Sequence, residues 1–271
     1  LIFVKKRSKI AVQKKELPML SLQLPISVAR PPWTTLGKKL ESMCRKALYD
    51  FKLLEGVSKL AVALSGGKDS LSLLFLLKAI LGHGFPEIDL IPIHVTGEFS
   101  CGAGVSISFL KGVCQELDLP LILCESTQRR ETLECYRCSR ERRRLIFEAA
   151  KAAGANTVAF GHHRDDSIQT LLMNLLHKAE FAANLPKVPM HDFGVTIIRP
   201  LIYVPEEDLT TFAQKYGFAR IVCQCPVGQE SMRKSTKVLL KQIEEVFPNA
   251  RENLSQAAFA YGSDKAVRRG E

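Results

Sequence analysis

The sequence predicts an α/β fold: a doubly wound parallel sheet, preceded by an N-terminal arm and helix and followed by further helices. Three observations carry that expectation. Short runs rich in Val, Ile and Leu recur through the middle of the chain with stretches of helical length between them, and strands alternating with helices build parallel sheets with right-handed crossovers. A glycine turn joins the first run to its helix, where an open sheet of this kind takes its ligand. The composition is globular: 271 residues, 46% hydrophobic and 24% charged. No uninterrupted apolar run approaches the roughly 18–20 residues of a membrane span, so wholesale disorder and a membrane bundle are both excluded.

Residues 1–35 read as a basic arm in which Pro18, Pro25, Pro31 and Pro32 prevent long regular elements. Lysines break its apolar stretches, no signal-peptide core forms, and a cytoplasmic protein is expected. A helix follows over 35–54, with Leu36, Leu40, Met43, Leu48 and Phe51 near helical spacing. Strands are predicted at 59–64, 88–95, 120–124, 157–161 and 195–200. Helices are predicted at 69–81, 105–117, 139–153 and 165–177, then at 206–216, 231–246 and 249–261. The chain thus divides into an arm and helix (1–56), an α/β domain (57–204) and a C-terminal helical region (205–271).

The formal net charge is +10, with twelve basic and four acidic side chains in 1–56 and seven basic and three acidic in 129–144. Such concentration points to a polyanionic partner, for which RNA is the usual cytoplasmic candidate. Eight cysteines in a cytosolic chain favour metal or redox chemistry over a disulfide scaffold.

Ser65-Gly66-Gly67-Lys68-Asp69-Ser70 stands where the first strand gives way to its helix. Two glycines let the backbone approach an anion, the helix start offers free N–H groups, and Lys68 adds a full charge. Asp69 after the lysine excludes a Walker A loop. The segment matches in full the SGGxDS signature of the PP-loop ATP pyrophosphatases, and the chain resembles that superfamily. The resemblance implies a Rossmann-like domain that cleaves ATP between the α- and β-phosphates, holds the nucleotide on residues 65–70 and Gly161, and adenylates a substrate oxygen.

Cys135-Tyr136-Arg137-Cys138 and Cys223-Gln224-Cys225-Pro226 offer metal-ligand spacing, and spacing alone leaves a zinc site and an iron–sulfur cluster equally open. His162-His163-Arg164-Asp165-Asp166 follows the fourth strand. Two carboxylates there suit Mg²⁺ or proton handling, while one of them can also cap the next helix. Taken in order, Cys135-x-x-Cys138-Ser139-Arg140, Gly161 to Asp166 with Gln169-Thr170, Ile198-Arg199-Pro200-Leu201 and the Cys223/Cys225 pair resemble the tRNA 2-thiocytidine synthetase family over roughly residues 60–259.

That likeness implies a 4Fe-4S cluster on three cysteines, and thiolation of C2 of cytidine 32 in tRNA using ATP, Mg²⁺ and a sulfur donor (a cysteine desulfurase or sulfide). Cys135 and Cys138 match the family's paired ligands. Cys225 is carried over as the third because related uridine thiolases place theirs in Cys-Pro, with Cys223 in reserve. The later site is one residue shorter than the family's, and His94-Val95-Thr96-Gly97-Glu98 replaces a strand end where Asp is commoner. Lys68, Asp69 and Asp166 are the expected catalytic residues, and Arg140, Arg142, Arg143 and Arg144 with the arm are expected to hold tRNA. A homodimer stays open. The competing readings are another PP-loop tRNA enzyme (a uridine 2-thiolase or a lysidine synthetase) and a zinc-containing, non-catalytic RNA-binding protein.

Overall fold

The computed structural model describes residues 11–12, 28–97, 106–128, 135–218 and 232–264. The strands are β1 (Ala11–Val12), β2 (Lys59–Ala63), β3 (Asp89–Thr96), β4 (Ile122–Glu125), β5 (Thr157–Ala159), β6 (Ala182–Ala183), β7 (Lys187–Met190), β8 (Val195–Ile198) and β9 (Ser263–Asp264). The helices are α1 (Thr35–Asp50), α2 (Lys68–Ile80), α3 (Ile107–Glu116), α4 (Cys135–Ala152), α5 (Arg164–Lys178), α6 (Glu206–Lys215), α7 (Met232–Val246) and α8 (Ala250–Tyr261).

Among the described residues, the main sheet runs β1-β4-β3-β2-β5-β8-β7. Its five central strands are parallel; the two edges, β1 on β4 and β7 on β8, are antiparallel. The sequence reading lacked β7, and Pro189 explains why. Proline gives up a ladder hydrogen bond and so weakens a strand pattern, yet it is tolerated on an edge, which is where β7 lies. β6 and β9 pair separately.

Strand alternation sends β2 into two cores. Leu60 and Val62 pack with α1, α2, α3 and α6 on one face; Ala61 and Ala63 pack with α4 on the other. α2 is buried on nearly every side, including Leu71, Leu73, Leu74, Phe75, Leu76 and Leu77, so its apolar residues surround the helix rather than forming one stripe. Truncating one of them, as in Leu74→Ala, removes fully buried area and costs about 2–5 kcal/mol. The apolar α1 face of Leu40, Cys44 and Leu48 completes this core, and Thr34 Oγ1 caps the helix by accepting the Gly37 N–H. α5 lies against α7 and α8 in two small clusters built on Leu172 with Leu240 and on Leu171 with Ala258.

Two boundaries matter for the site. α4 begins at Cys135, four residues earlier than its periodicity indicates, so Cys135 and Cys138 occupy its first turn instead of preceding it. β5 ends at Ala159, which leaves 160–163 as an extended connection into α5. Chain order along the parallel strands reverses between β2 and β5, and ligands bind at the carboxyl ends of the strands beside such a switch.

Candidate active site

The turn after β2 is built from its own side chains. Gly66 has φ +81°, a left-handed value that suits glycine, and Gly67 is the extended N-cap of α2. Ser65 Oγ accepts the Gly67 N–H at 3.2 Å and lies 3.0 Å from Ser70 Oγ, which donates to the Gly67 carbonyl at 3.0 Å. Lys68 Nζ reaches Asp69 Oδ1 at 2.8 Å and Glu206 Oε1 at 3.6 Å. Burial works against the ammonium, but Asp69, Glu206 and Asp166 outweigh it and raise its pKa, so Lys68 stays charged.

Gly161 is pressed against this turn. A Cβ there would stand 3.0 Å from the Asp69 carbonyl carbon and from Ser70 N, which is backbone and cannot swing away. Beyond it, the N-cap of α5 is His163 rather than either aspartate; Asp166, in the first turn, reaches back so that its Oδ2 accepts the His163 N–H at 3.2 Å. Asp166 Oδ1 accepts from Arg233 at 2.9 Å. Burial opposes ionisation of Asp166, yet His163, Arg233 and the His163 N–H hold its pKa down to about 2. Ser65, Asp69, Ser70, Gly161 and Asp166 therefore line one pocket, joined by Ile93, Val95, Arg142, Ile146 and His162. His94 takes no part in the lining. It is buried within β3, and its Nδ1–H donates to the Leu64 carbonyl at 2.7 Å.

Sequence reading missed the cations that brace this edge. Arg233 and Lys237 of α7 bind Asp166 and Glu206, Arg251 of α8 binds Asp165 and Glu244, and Arg164 binds Glu252. Asp165 is thereby spoken for structurally: Arg251 takes one oxygen and the Glu206 N–H donates to the other at 2.8 Å. Arg199 was missed as a side chain although its motif was noted. It is 1% exposed, and its position directly after the apolar strand β8 was the available signal for a buried, bonded arginine.

On α4, Ile146 and Arg142 line the pocket, and Cys138 lies one turn before Arg142 on the same helical stripe. Cys138 is buried at 6%, with Cys135 one turn earlier in the backbone. Arg142 thus belongs to the pocket beside the 65–70 turn, whereas Arg137, Arg140 and Arg144 are exposed. Tyr136 is 61% exposed with the Arg140 guanidinium 5.7 Å from its ring centre. Cys223 and Cys225 lie outside the described residues, so the three-cysteine set is not assembled among the described ones, where no cluster of three metal-binding side chains occurs.

The donors present fit the groups that the motifs imply. Two carboxylates, Asp69 and Asp166, facing one pocket suit Mg²⁺, which takes one or two carboxylates and completes its shell with phosphate oxygens and water. A buried thiol at a helix start, with a second cysteine one turn away, suits a thiolate-bound cluster.

Comparison with known proteins agrees with this geometry. A PP-loop domain model matches residues 33–221. The tRNA-cytidine(32) 2-sulfurtransferase of Stenotrophomonas maltophilia is 35% identical over 85% of this chain and 79% of that protein. Its counterpart from Syntrophotalea carbinolica is 32% identical over 81% of this chain and 87% of that protein. Among solved structures, the U34-tRNA thiolase NcsA from Methanococcus maripaludis with its [4Fe-4S] cluster superposes with a TM-score of 0.68 at 22% identity, covering 87% of this chain and 84% of that one. With a nucleotide-type turn at the switch point and relatives of one kind along most of its length, the chain belongs to the PP-loop family and, within it, to the tRNA-cytidine(32) 2-sulfurtransferases.

Proposed function

We infer that this chain is an ATP-dependent tRNA sulfurtransferase that replaces O2 of cytidine 32 by sulfur. The observation that carries the reading is the placement of α4. The pocket that Ser65, Asp69, Ser70, Gly161 and Asp166 line at the switch point is completed by Ile146 and Arg142, and Cys138 lies one turn before Arg142 on the same stripe of that helix. In this reading activation and sulfur chemistry share one cleft.

In this reading the 65–70 turn and the start of α2 hold the β- and γ-phosphates through N–H groups, hydroxyls and the helix dipole. Lys68, kept charged by its neighbours, stabilises the negative charge that grows on the phosphoryl oxygens as cytidine O2 bonds to the α-phosphorus and pyrophosphate departs with its electron pair. Asp69 and Asp166 would hold Mg²⁺, and binding at Asp166 competes with Arg233 for the same carboxylate. Arg142 lies where it can neutralise the adenylated base's phosphate, which makes AMP the better leaving group. Cys135, Cys138 and Cys225 would hold the cluster, which when bound supplies the sulfur-transfer chemistry. Exposed Arg137 and Arg140 with Tyr136 offer phosphate contacts and a stacking face for an anticodon-loop base taken out of its stack.

The test is direct. Purified protein, reconstituted anaerobically and given unthiolated tRNA, ATP and sulfide, yields 2-thiocytidine on nucleoside mass spectrometry, and omission of ATP abolishes it. Product at another base, or zinc without iron and sulfide on metal analysis of active protein, would overturn the reading. No helix among the described residues is long and apolar enough to cross a membrane.

A further inference from the structure

We infer that His162 donates a hydrogen bond, as a neutral imidazole, to the α-phosphate of the nucleotide, and that buried Arg199 is the positioning residue that fixes its tautomer. The inference rests on the reading that ATP occupies the pocket beside the 65–70 turn. An arginine Nε–H can only donate, and Arg199 Nε lies 3.2 Å from His162 Nδ1. Nδ1 is therefore the acceptor, and the ring proton sits on Nε2.

Arg199 is held in place to do this. It is 1% exposed, its Nη1 donates to the Leu185 carbonyl, and its backbone N–H donates to the Pro186 carbonyl at 2.9 Å. The imidazole plane is set by Phe160, with the two rings 6° from parallel and their centres 5.6 Å apart. With the Nδ1 edge taken and one face covered, Nε2–H is the polar group His162 can offer the pocket it shares with Ser65, Asp69, Ser70 and Asp166. The charged groups acting on the ring are Arg199, Arg143 and Arg233 against Asp166. Burial first and Arg199 second hold its pKa well below the usual histidine value, so protonation does not compete with the tautomer near neutral pH.

Position selects the α-phosphate. The 65–70 turn takes the terminal phosphates, and Gly161 packs its strand end so closely on the Asp69–Ser70 backbone that an added Cβ would stand 3.0 Å from it. The next residue along that strand end meets the phosphate that follows. During adenylation the O2–P bond forms while the P–O bond to pyrophosphate breaks, and charge gathers on the α-phosphate oxygens. A preorganised neutral donor stabilises that charge and keeps its own proton.

Two measurements test this. In ¹⁵N-histidine-labelled wild-type protein, with the ring assigned by its absence from the His162→Gln spectrum, His162 is expected as the Nε2–H tautomer, unchanged from about pH 5.5 to 8.5, with Nε2 shifting when ATP is added. An Nδ1–H tautomer, or a ring that titrates in that range, overturns the inference without need of any variant. In ATP–pyrophosphate exchange with unthiolated tRNA, His162→Ala should lower kcat by about 10²–10³-fold with KM for ATP within roughly threefold, and His162→Gln should regain about tenfold through its amide donor. Arg199→Met should make the ring titrate and the exchange rate depend on pH. Wild-type exchange with an unaffected His162→Ala enzyme would sink this inference alone; no exchange by the wild type would remove the parent reading and this inference with it.

Discussion

The first turns of α2 and α5 differ sharply from the first turn of α4, although all three sit near one cleft. At α2 and α5 every named charge has an internal counter-charge: Lys68 with Asp69 and Glu206, Asp165 with Arg251, Asp166 with Arg233. At α4, Arg137 and Arg140 are exposed, and no carboxylate among the described residues pairs with either. The first region holds a fixed geometry which, in the proposed reading, serves a small, highly charged ligand. The second, in the proposed reading, offers its exposed cations to a polyanion. If the proposed function holds, preorganisation and recognition are separated along one sheet edge, with Cys138 and Arg142 on the boundary between them.

The largest effect that tests this division is on that boundary. Cys138→Ala should reduce 2-thiocytidine formation to background while ATP–pyrophosphate exchange with tRNA continues at a rate within a fewfold of wild type. Loss of both activities in a folded protein would show that the two chemistries are not separable. Next is Lys68→Ala, expected to lower exchange by about 10²–10³-fold, the range for losing one charge-stabilising donor, with an unchanged circular dichroism spectrum.

Acid titration sharpens the contrast from the stability side. Asp166 is held at about 2 against an ordinary value of 3.8, so the native state favours its ionised form. That contribution is fully present above about pH 4 and disappears as pH falls through about 2, and a shift of this size corresponds to about 2 kcal/mol. Urea unfolding of Asp166→Asn should therefore show a shallower loss of stability between those limits than the wild type. Equal slopes would mean that the α5 first turn is not electrostatically preorganised. Gly161→Ala comes lower: its Cβ would meet backbone at 3.0 Å, so the 65–70 turn must shift, costing about 1–3 kcal/mol of stability and raising KM for ATP about tenfold.

The same division explains what the sequence let one read. The strand runs, the 65–70 turn and the Gly161–Asp166 stretch are local patterns; Ser65, Asp69, Ser70, Gly161, His162 and Asp166 line one pocket, while Gly66, Gly67 and Lys68 are not part of its lining. What brings them together also contributes the cations that could not be foreseen. Arg233 reaches Asp166 across 67 positions, and Arg251 reaches Asp165 across 86. Such pairs leave no periodic trace, because an exposed-looking arginine on an amphipathic helix has the same spacing whether or not it meets a carboxylate. Arg199 differed, since a charge directly following Val195–Ile198 is costly unless bonded, and that cost was visible in the chain. The cysteines were found by spacing, but α4's arginine-rich start hid that the helix already includes them.

The smallest effect bears on the recognition side. Each arginine that meets an RNA phosphate displaces condensed counterions, and its removal should lower the slope of log affinity against log salt by roughly 0.7–0.9. Arg137→Ala and Arg140→Ala, measured by filter binding of tRNA from low to moderate salt, are expected to flatten that slope while leaving KM for ATP unaltered. Tyr136→Ala should weaken binding without changing the slope, since stacking releases no ions, and Tyr136→Phe should restore it. Arg233→Ala provides the opposite control. Its guanidinium is already matched by Asp166, so its loss should disturb exchange and leave the salt slope as it was. A slope that fell equally with Arg233 and Arg140 would mean that tRNA spreads over the nucleotide edge as well, and the two regions would then be one continuous surface.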